Sequence, residues 1–300
     1  MRTMQQTLAL RQRQDRWFNV LGVLCTSIGV ITLCALLGDL LIDGLGRIDW
    51  AFLTSFASRR PADAGILAAL VGSLLIMLVT ALVAVPLGVA AGVYLEEYAP
   101  KNRFTTIVEI NIANLAGVPS VIYGLMALGV FAVLFGRSIL TAGLTLAILV
   151  LPIVVVATRE ALRTIPRSMR EASYALGATK WETVRHHLLP YSLGGIATGV
   201  IIGLSRAIGE TAPLVTIGAV GYIAFLPDPP YRPSFPFVSW QWLESAFTVL
   251  PIQMFNWVSR PDEPFHINAA ATGVVLIAIT LSMNAVAIWI RYRMRRRIKW

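Results

Sequence analysis

Six apolar runs, each close to or above the roughly 20 residues a helix needs to cross a bilayer, constrain this chain more than anything else in it. They are Trp17 to Ile42, Ile66 to Leu95, Ile110 to Phe135, Ile139 to Ala157, Ser192 to Ile223 and Ala269 to Ile290. A chain that repeatedly enters lipid must satisfy its backbone within each crossing segment, which predicts an all-α polytopic membrane protein with six transmembrane helices. Only 14% of the residues are charged, against about 25% in a soluble domain. The first run is too long for a signal-peptide core and has no A-x-A-like site, so it is expected to be a retained helix. Cys25 and Cys34 lie on opposite faces of that helix and are expected to be separate small packing residues, not a bridge.

A net charge of +9 raises the question of nucleic acid, and the distribution of the charge answers it. In a six-span layout 18 of the 25 Lys and Arg fall on one side: four before the first span, two after the second, six between Arg159 and Arg185, and six from Arg291 to Lys299. That asymmetry is the positive-inside pattern of a membrane protein with both termini cytoplasmic, with lipid and not nucleic acid as its surroundings. Arg206 falls inside a span.

The layout divides into residues 1–64 (tail, first helix, outer loop), a membrane domain at 65–292, and a basic tail at 293–300. An outer loop at 224–266 is rich in proline, and within it SWQWLESAFTVL is expected to form a short interfacial helix. Glycines recur every four residues at Gly88 and Gly92 and again at Gly195, Gly199 and Gly203, which predicts close helix packing.

The most polar stretch, EASYALGATKWETVRHHLLP from Glu171 to Pro190, interrupts the apolar chain on its basic side. Apolar residues at helical spacing, Gly177 in the middle, and Thr179 three residues before Glu182 predict helix, turn, capped helix, with Pro190 opening the next span. Glu171 and Ala172, Gly177 six residues after the glutamate, and the closing Leu189-Pro190 resemble the EAA signature of ABC-importer permeases, with Ser173 and His187 departing from it. The resemblance implies a type I importer permease fold in which segment 159–190 carries a cytoplasmic coupling helix docked on a separate ATPase, where ATP and Mg bind. No G-x-x-x-x-G-K-[ST] phosphate loop occurs in this chain, so it is expected to bind no cofactor itself.

Within LSRAIGETAPLVTIG, Arg206 and Glu210 are four residues apart on one helix face, and Pro213 predicts a kink beside them. Charges at membrane depth cost about 2.5 to 3.5 kcal/mol on insertion scales and mark pathways or structural ion pairs. A second polar break, NLAGVPSVIYGLM, predicts a discontinuous helix at Pro119, with Ser120 at a helix start and Tyr123 beyond it as further candidates for a substrate path. GVPSVIYGL, RAIGETAPL, PLGVAAGVYLEEYA and FTVLPIQMFNWVSRPDEPFH are similar to the phosphate-specific ABC permeases of A type, from about Gly65 to the C-terminus. That similarity implies a prokaryotic inner-membrane subunit that imports inorganic phosphate. Its implied partners are a C-type permease, two copies of an ATP-binding subunit and an extracytoplasmic phosphate-binding protein. The alternatives are a permease for molybdate or sulfate, a secondary transporter or channel, and a membrane enzyme using Glu210 or the acids Glu96 and Glu97. The last two acids read as a solvated span boundary beside Lys101.

Overall fold

A computed structural model describes residues 4–229, 231 and 239–295. Arg2, Arg232, Pro230, Pro233, Pro236 and the tail from 296 onward lie outside the described residues. Twelve α-helices follow one another among the described residues: α1 (Met4–Leu45), α2 (Trp50–Thr54), α3 (Leu67–Val93), α4 (Arg103–Leu115), α5 (Ser120–Phe135), α6 (Ile139–Arg163), α7 (Arg167–Ala175), α8 (Lys180–Thr183), α9 (Leu189–Gly209), α10 (Ala212–Ile217), α11 (Leu250–Val258) and α12 (Glu263–Arg295). Five helical stretches are long and apolar enough to cross a membrane, and the bent pair α4 and α5 brings the number to six if the pair forms one span.

The core is built around α6, whose two sides receive the two glycine series. A Cβ on Gly88 or Gly92 of α3 would come within 2.7 Å of Val154 or 2.6 Å of Thr158, and one on Gly195 of α9 within 2.6 Å of Ala161. Gly199 and Gly203 face Ala157 and Val150 in the same way. Lipid gives apolar helices no hydrophobic reason to associate, so dispersion at short range must hold them, and absent side chains permit that range. The same contact principle seats α1 on α12, where Gly44 lies against the backbone of Ala270. Residues 14–36 of α1 are exposed, Cys25 and Cys34 among them, contrary to the packing role expected for them.

Two apolar runs depart from simple helices. In the third, α4 and α5 meet at 107°, because Pro119 lacks an N–H and disfavours helical backbone at Val118, so the discontinuity expected there is present. At about 1.5 Å per residue α5 is roughly 24 Å long, while Glu109 of α4 reaches the basic end of α6. In the fifth run the expected kink is a full break: α9 stops at Gly209, Glu210 is extended, and α10 ends at Gly218 with φ +100°. Pro213 withholds the next helical bond, and no regular helix continues to Ile223. Pro190 stands in the first turn of α9 as expected, but that helix does not start from a loop. Helical backbone runs on from Lys180, and a π-turn at Val184–Leu188, closed by Leu189 N–H to the Val184 carbonyl, widens the turn before the proline.

The proline-rich face is also arranged differently from expectation. SWQWLESAFTVL contains one 3-10 turn at Gln241–Glu244, and the helix starts later, at Leu250, with Pro251 in its first turn. There Phe52, Ile66, Leu250, Trp257 and Phe265 form a second core. Arg47 seals it, donating from Nε to Asn268 Oδ1 at 2.9 Å and from Nη2 to the Ala62 and Ala64 carbonyls at 2.8 and 3.0 Å. Trp257 is fully buried with no partner for its Nε1–H. Trp257→Ala is therefore expected to lower stability by about 3 to 5 kcal/mol. Trp257→Phe, which removes the unpaired donor along with some volume, is expected to cost under about 1.5 kcal/mol. Thermal unfolding of the two purified variants checks the contrast.

Candidate coupling loop and translocation path

Segment 164–189 folds by local rules. Helix α7 ends in a Schellman motif: Gly177 N–H bonds the Tyr174 carbonyl at 2.9 Å and Ala178 N–H bonds that of Ser173 at 3.2 Å. The motif needs left-handed backbone, and Gly177 supplies φ +85°. The expected capping box is present, with Thr179 N–H to Glu182 Oε2 at 2.8 Å and Glu182 N–H to Thr179 Oγ1 at 3.2 Å. Ser173, one of the two departures from the EAA pattern, is buried and shares a 2.8 Å hydrogen bond with Thr183 Oγ1, fastening α7 to α8.

The apolar residues of this segment divide between two faces. Val184 and Leu188 turn inward onto Leu162 and Ile165, which ties the loop to the end of α6. Leu176 and Trp181 are exposed on the outside, as are Glu171, Ala172, Gly177 and His187, while Leu189 and Pro190 are half-buried where the loop joins α9. The result is a pair of short helices with an exposed apolar ridge, braced from behind by its own core.

Glu96 and Glu97 are not the solvated boundary that the sequence suggests. Glu97, with a side chain only 7% exposed, accepts a 2.7 Å bond from Arg170 Nη2 and a 3.1 Å bond from its Nε, so α7 is pinned to the end of α3. Arg170 also donates to the Ile165 and Leu162 carbonyls at 2.8 and 3.0 Å. Glu96 accepts from Arg163 at 2.9 Å, and Arg159 pairs with Glu109 at 2.7 Å. The acids and the basic residues answering them are up to 73 positions apart in the chain, and only helix packing brings them together.

At membrane depth the two polar breaks meet. Helix α5 packs on α10, with Gly124 so close to Pro213 and Thr216 that a Cβ there would come within 2.7 Å of the Pro213 backbone. Tyr123 donates its hydroxyl to the Leu115 carbonyl at 2.7 Å, bracing α5 against α4 across the break. In the last turn of α9, Arg206 Nε donates to Glu210 Oε1 at 3.1 Å; the arginine side chain is 44% exposed and the glutamate 17%. Ser120, half-buried, begins α5 on the same side of the break. The four candidate path residues thus sit on two packed breaks, with a cation whose guanidinium is only partly occupied by its own helix.

Comparison with known proteins adds to this geometry. Residues 84–300 match the family model described as binding-protein-dependent transport system inner membrane component. The protein named probable ABC transporter permease protein YqgI, of Bacillus subtilis, is 36% identical over 64% of this chain and 66% of its own length. The phosphate transport system permease protein PstA of Haemophilus influenzae is 30% identical, covering 90% of each chain, and that of Yersinia pestis is 29% identical over 96% of this chain and 93% of its own. Among solved structures, an inward facing conformation of the MetNI methionine ABC transporter aligns with TM-score 0.60 and 19% identity, over 74% of this chain and 93% of that one, a likeness of fold.

Proposed function

Because the chain belongs to the inner-membrane permeases of binding-protein-dependent ABC transport systems, we propose that it is the permease subunit of an ATP-driven importer of inorganic phosphate. The observation that carries the substrate is likeness along nearly the whole chain to proteins named as phosphate transport permeases. A half-exposed arginine at the paired breaks suits an anion, since a guanidinium offers planar, charge-assisted donors that match phosphate oxygens. In this reading the basic face is cytoplasmic, both termini lie there, and the exposed ridge of Leu176 and Trp181 docks on a partner ATPase that holds ATP and Mg. A C-type permease completes the membrane unit, two ATP-binding subunits drive it, and an extracytoplasmic phosphate-binding protein delivers substrate to the proline-rich face.

The test is ATP-dependent uptake of labelled phosphate into vesicles that hold the assembled complex, challenged with excess sulfate or molybdate. Phosphate is expected to accumulate and neither competitor to suppress it. Suppression by one of them transfers the substrate to that oxyanion, and uptake that persists after ATP depletion replaces the ABC mechanism with a channel or secondary transporter.

The docking assignment has its own check. Gly177→Pro forces φ from +85° to about −65° and removes the N–H bonded to Tyr174, so the Schellman turn cannot form. Gly177→Asn tolerates the left-handed backbone. Co-purification of the ATPase is expected to be lost with proline and kept with asparagine; retention with both would remove the loop from the interface.

A further inference from the structure

Arg159 occupies an unusual position in the ionic cluster. Its side chain is only 9% exposed, its Nη2 is 2.7 Å from Glu109 Oε1, and its Nε is 3.6 Å from Glu96 Oε2, too long for a hydrogen bond. That Nε is buried and has no hydrogen-bond partner. Leaving a buried donor unmade is costly, and a carboxylate able to satisfy it stands within reach, held in this arrangement by Arg163 at 2.9 Å. By contrast Arg170 is fully engaged, with Glu97 and two backbone carbonyls as acceptors.

Glu96 and Glu97 both lie in the π-turn Tyr94–Tyr98, closed by Ala99 N–H to the Tyr94 carbonyl at 2.8 Å. A π-turn carries one residue more than the α-helix allows, so closing it to α geometry shifts the register of the residues it holds. Arg170 ties this turn to α7 through Glu97, and Arg159 ties α6 to α4 through Glu109. Helix α4 then leads into the break at Pro119, which Tyr123 braces through Leu115. One continuous set of contacts therefore joins the loop to the polar breaks, with a single under-satisfied group in its middle.

We infer that Arg159 is a positioning residue that exchanges between Glu109 and Glu96 as the transporter changes state. In the arrangement seen here it holds α4 against α6; a pull on α7, passed through Arg170 and Glu97 to the π-turn, brings Glu96 onto Arg159 and frees α4. Only the direction of that exchange distinguishes the two carboxylates, since each would otherwise be an interchangeable counter-charge to the cluster. The inference rests on the ATPase-coupling part of the proposed function and is independent of phosphate as the substrate.

The test uses the full complex in lipid nanodiscs, with Cys25 and Cys34 replaced by serine and spin labels at Thr106→Cys on α4 and Val156→Cys on α6, both exposed positions. Label distances are measured without nucleotide and with ATP trapped by vanadate. The expected result is two distances in the otherwise native complex, a shift by several ångströms between the two conditions, and opposite effects of two neutral variants. Glu109→Gln populates the trapped distance without nucleotide and raises substrate-independent ATP hydrolysis by about tenfold, within the usual range of coupling between two states. Glu96→Gln keeps the nucleotide-free distance even under vanadate. Should either variant fail to assemble, the distances in the native side-chain background still decide. A complex that hydrolyses ATP while the distance stays fixed, or two variants with the same effect, overturns the exchange and leaves the permease reading standing. A chain that never retains an ATPase overturns both.

Discussion

Arg206→Gln is expected to abolish phosphate uptake while the chain still assembles with its partners and they still hydrolyse ATP. Arg206 is 44% exposed and its one ion pair is with a residue four positions on in its own chain, so no second helix depends on it for position. Loss of the charge therefore leaves the packing of α6 and α9 intact, in contrast to the buried pairs of the basic face. What it removes is a guanidinium placed beside the paired breaks, where an anion leaving water needs a replacement for its hydration. Glu210→Gln separates the two possible roles. If the pair is only a structural lock, Arg206→Gln and Glu210→Gln reduce uptake equally and the double variant recovers it, since no charge is left unpaired. If Arg206 meets substrate, its loss is the more severe of the two and the double variant stays inactive. Arg206→Lys, which keeps charge but not the planar fork, is expected to retain partial uptake. Labelled phosphate in proteoliposomes measures all four, and normal uptake by Arg206→Gln would remove the residue from the path.

Local rules made some of this structure legible in the sequence. Thr179 three residues before Glu182 and Gly177 between two helical patterns suffice to place the turn and the cap, because capping and left-handed backbone are decided within six residues. The discontinuity before Ser120 was likewise visible in Gly117 and Pro119. What failed depended on neighbours distant in the chain. Glu96 and Glu97 look solvated because their partners Arg163 and Arg170 lie 67 and 73 residues away, beyond any local pattern. The nearest signal was the density of acids at the end of one span and of arginines at the end of another, on one side of the membrane. Pro190 does stand in the first turn of α9, but the widened turn that lets helical backbone run into it leaves no local pattern in the sequence. Similarly, Pro213 identified a disturbance near Glu210 without distinguishing a kink from the complete break that the extended backbone at Glu210 makes.

The glycine series gives the sharpest test of the fold. Its spacing predicted close packing, and the structure adds the partner: both series press on α6, one from α3 and one from α9. Gly194 and Gly199 lie in the same helix, yet Gly194 has nothing within 4 Å of its would-be Cβ, whereas that of Gly199 would overlap the Ala157 methyl. Gly199→Leu is accordingly expected to force α9 off α6, at a cost of about 3 kcal/mol or more, with little monodisperse protein recovered in mild detergent. Gly194→Leu should behave as the native chain does, although the two substitutions are identical in hydrophobicity and helix propensity. A smaller change refines the point: Gly199→Ala alone is expected to destabilise, and Ala157→Gly added to it returns the missing space and most of the stability. Recovery by the pair, read as the unfolding midpoint in detergent, assigns the effect to that one contact. Equal damage from Gly194→Leu and Gly199→Leu would mean that α9 lies in a different rotation about its axis, and with it that Arg206, seven residues beyond Gly199 and so on the same helix face, points away from the paired breaks.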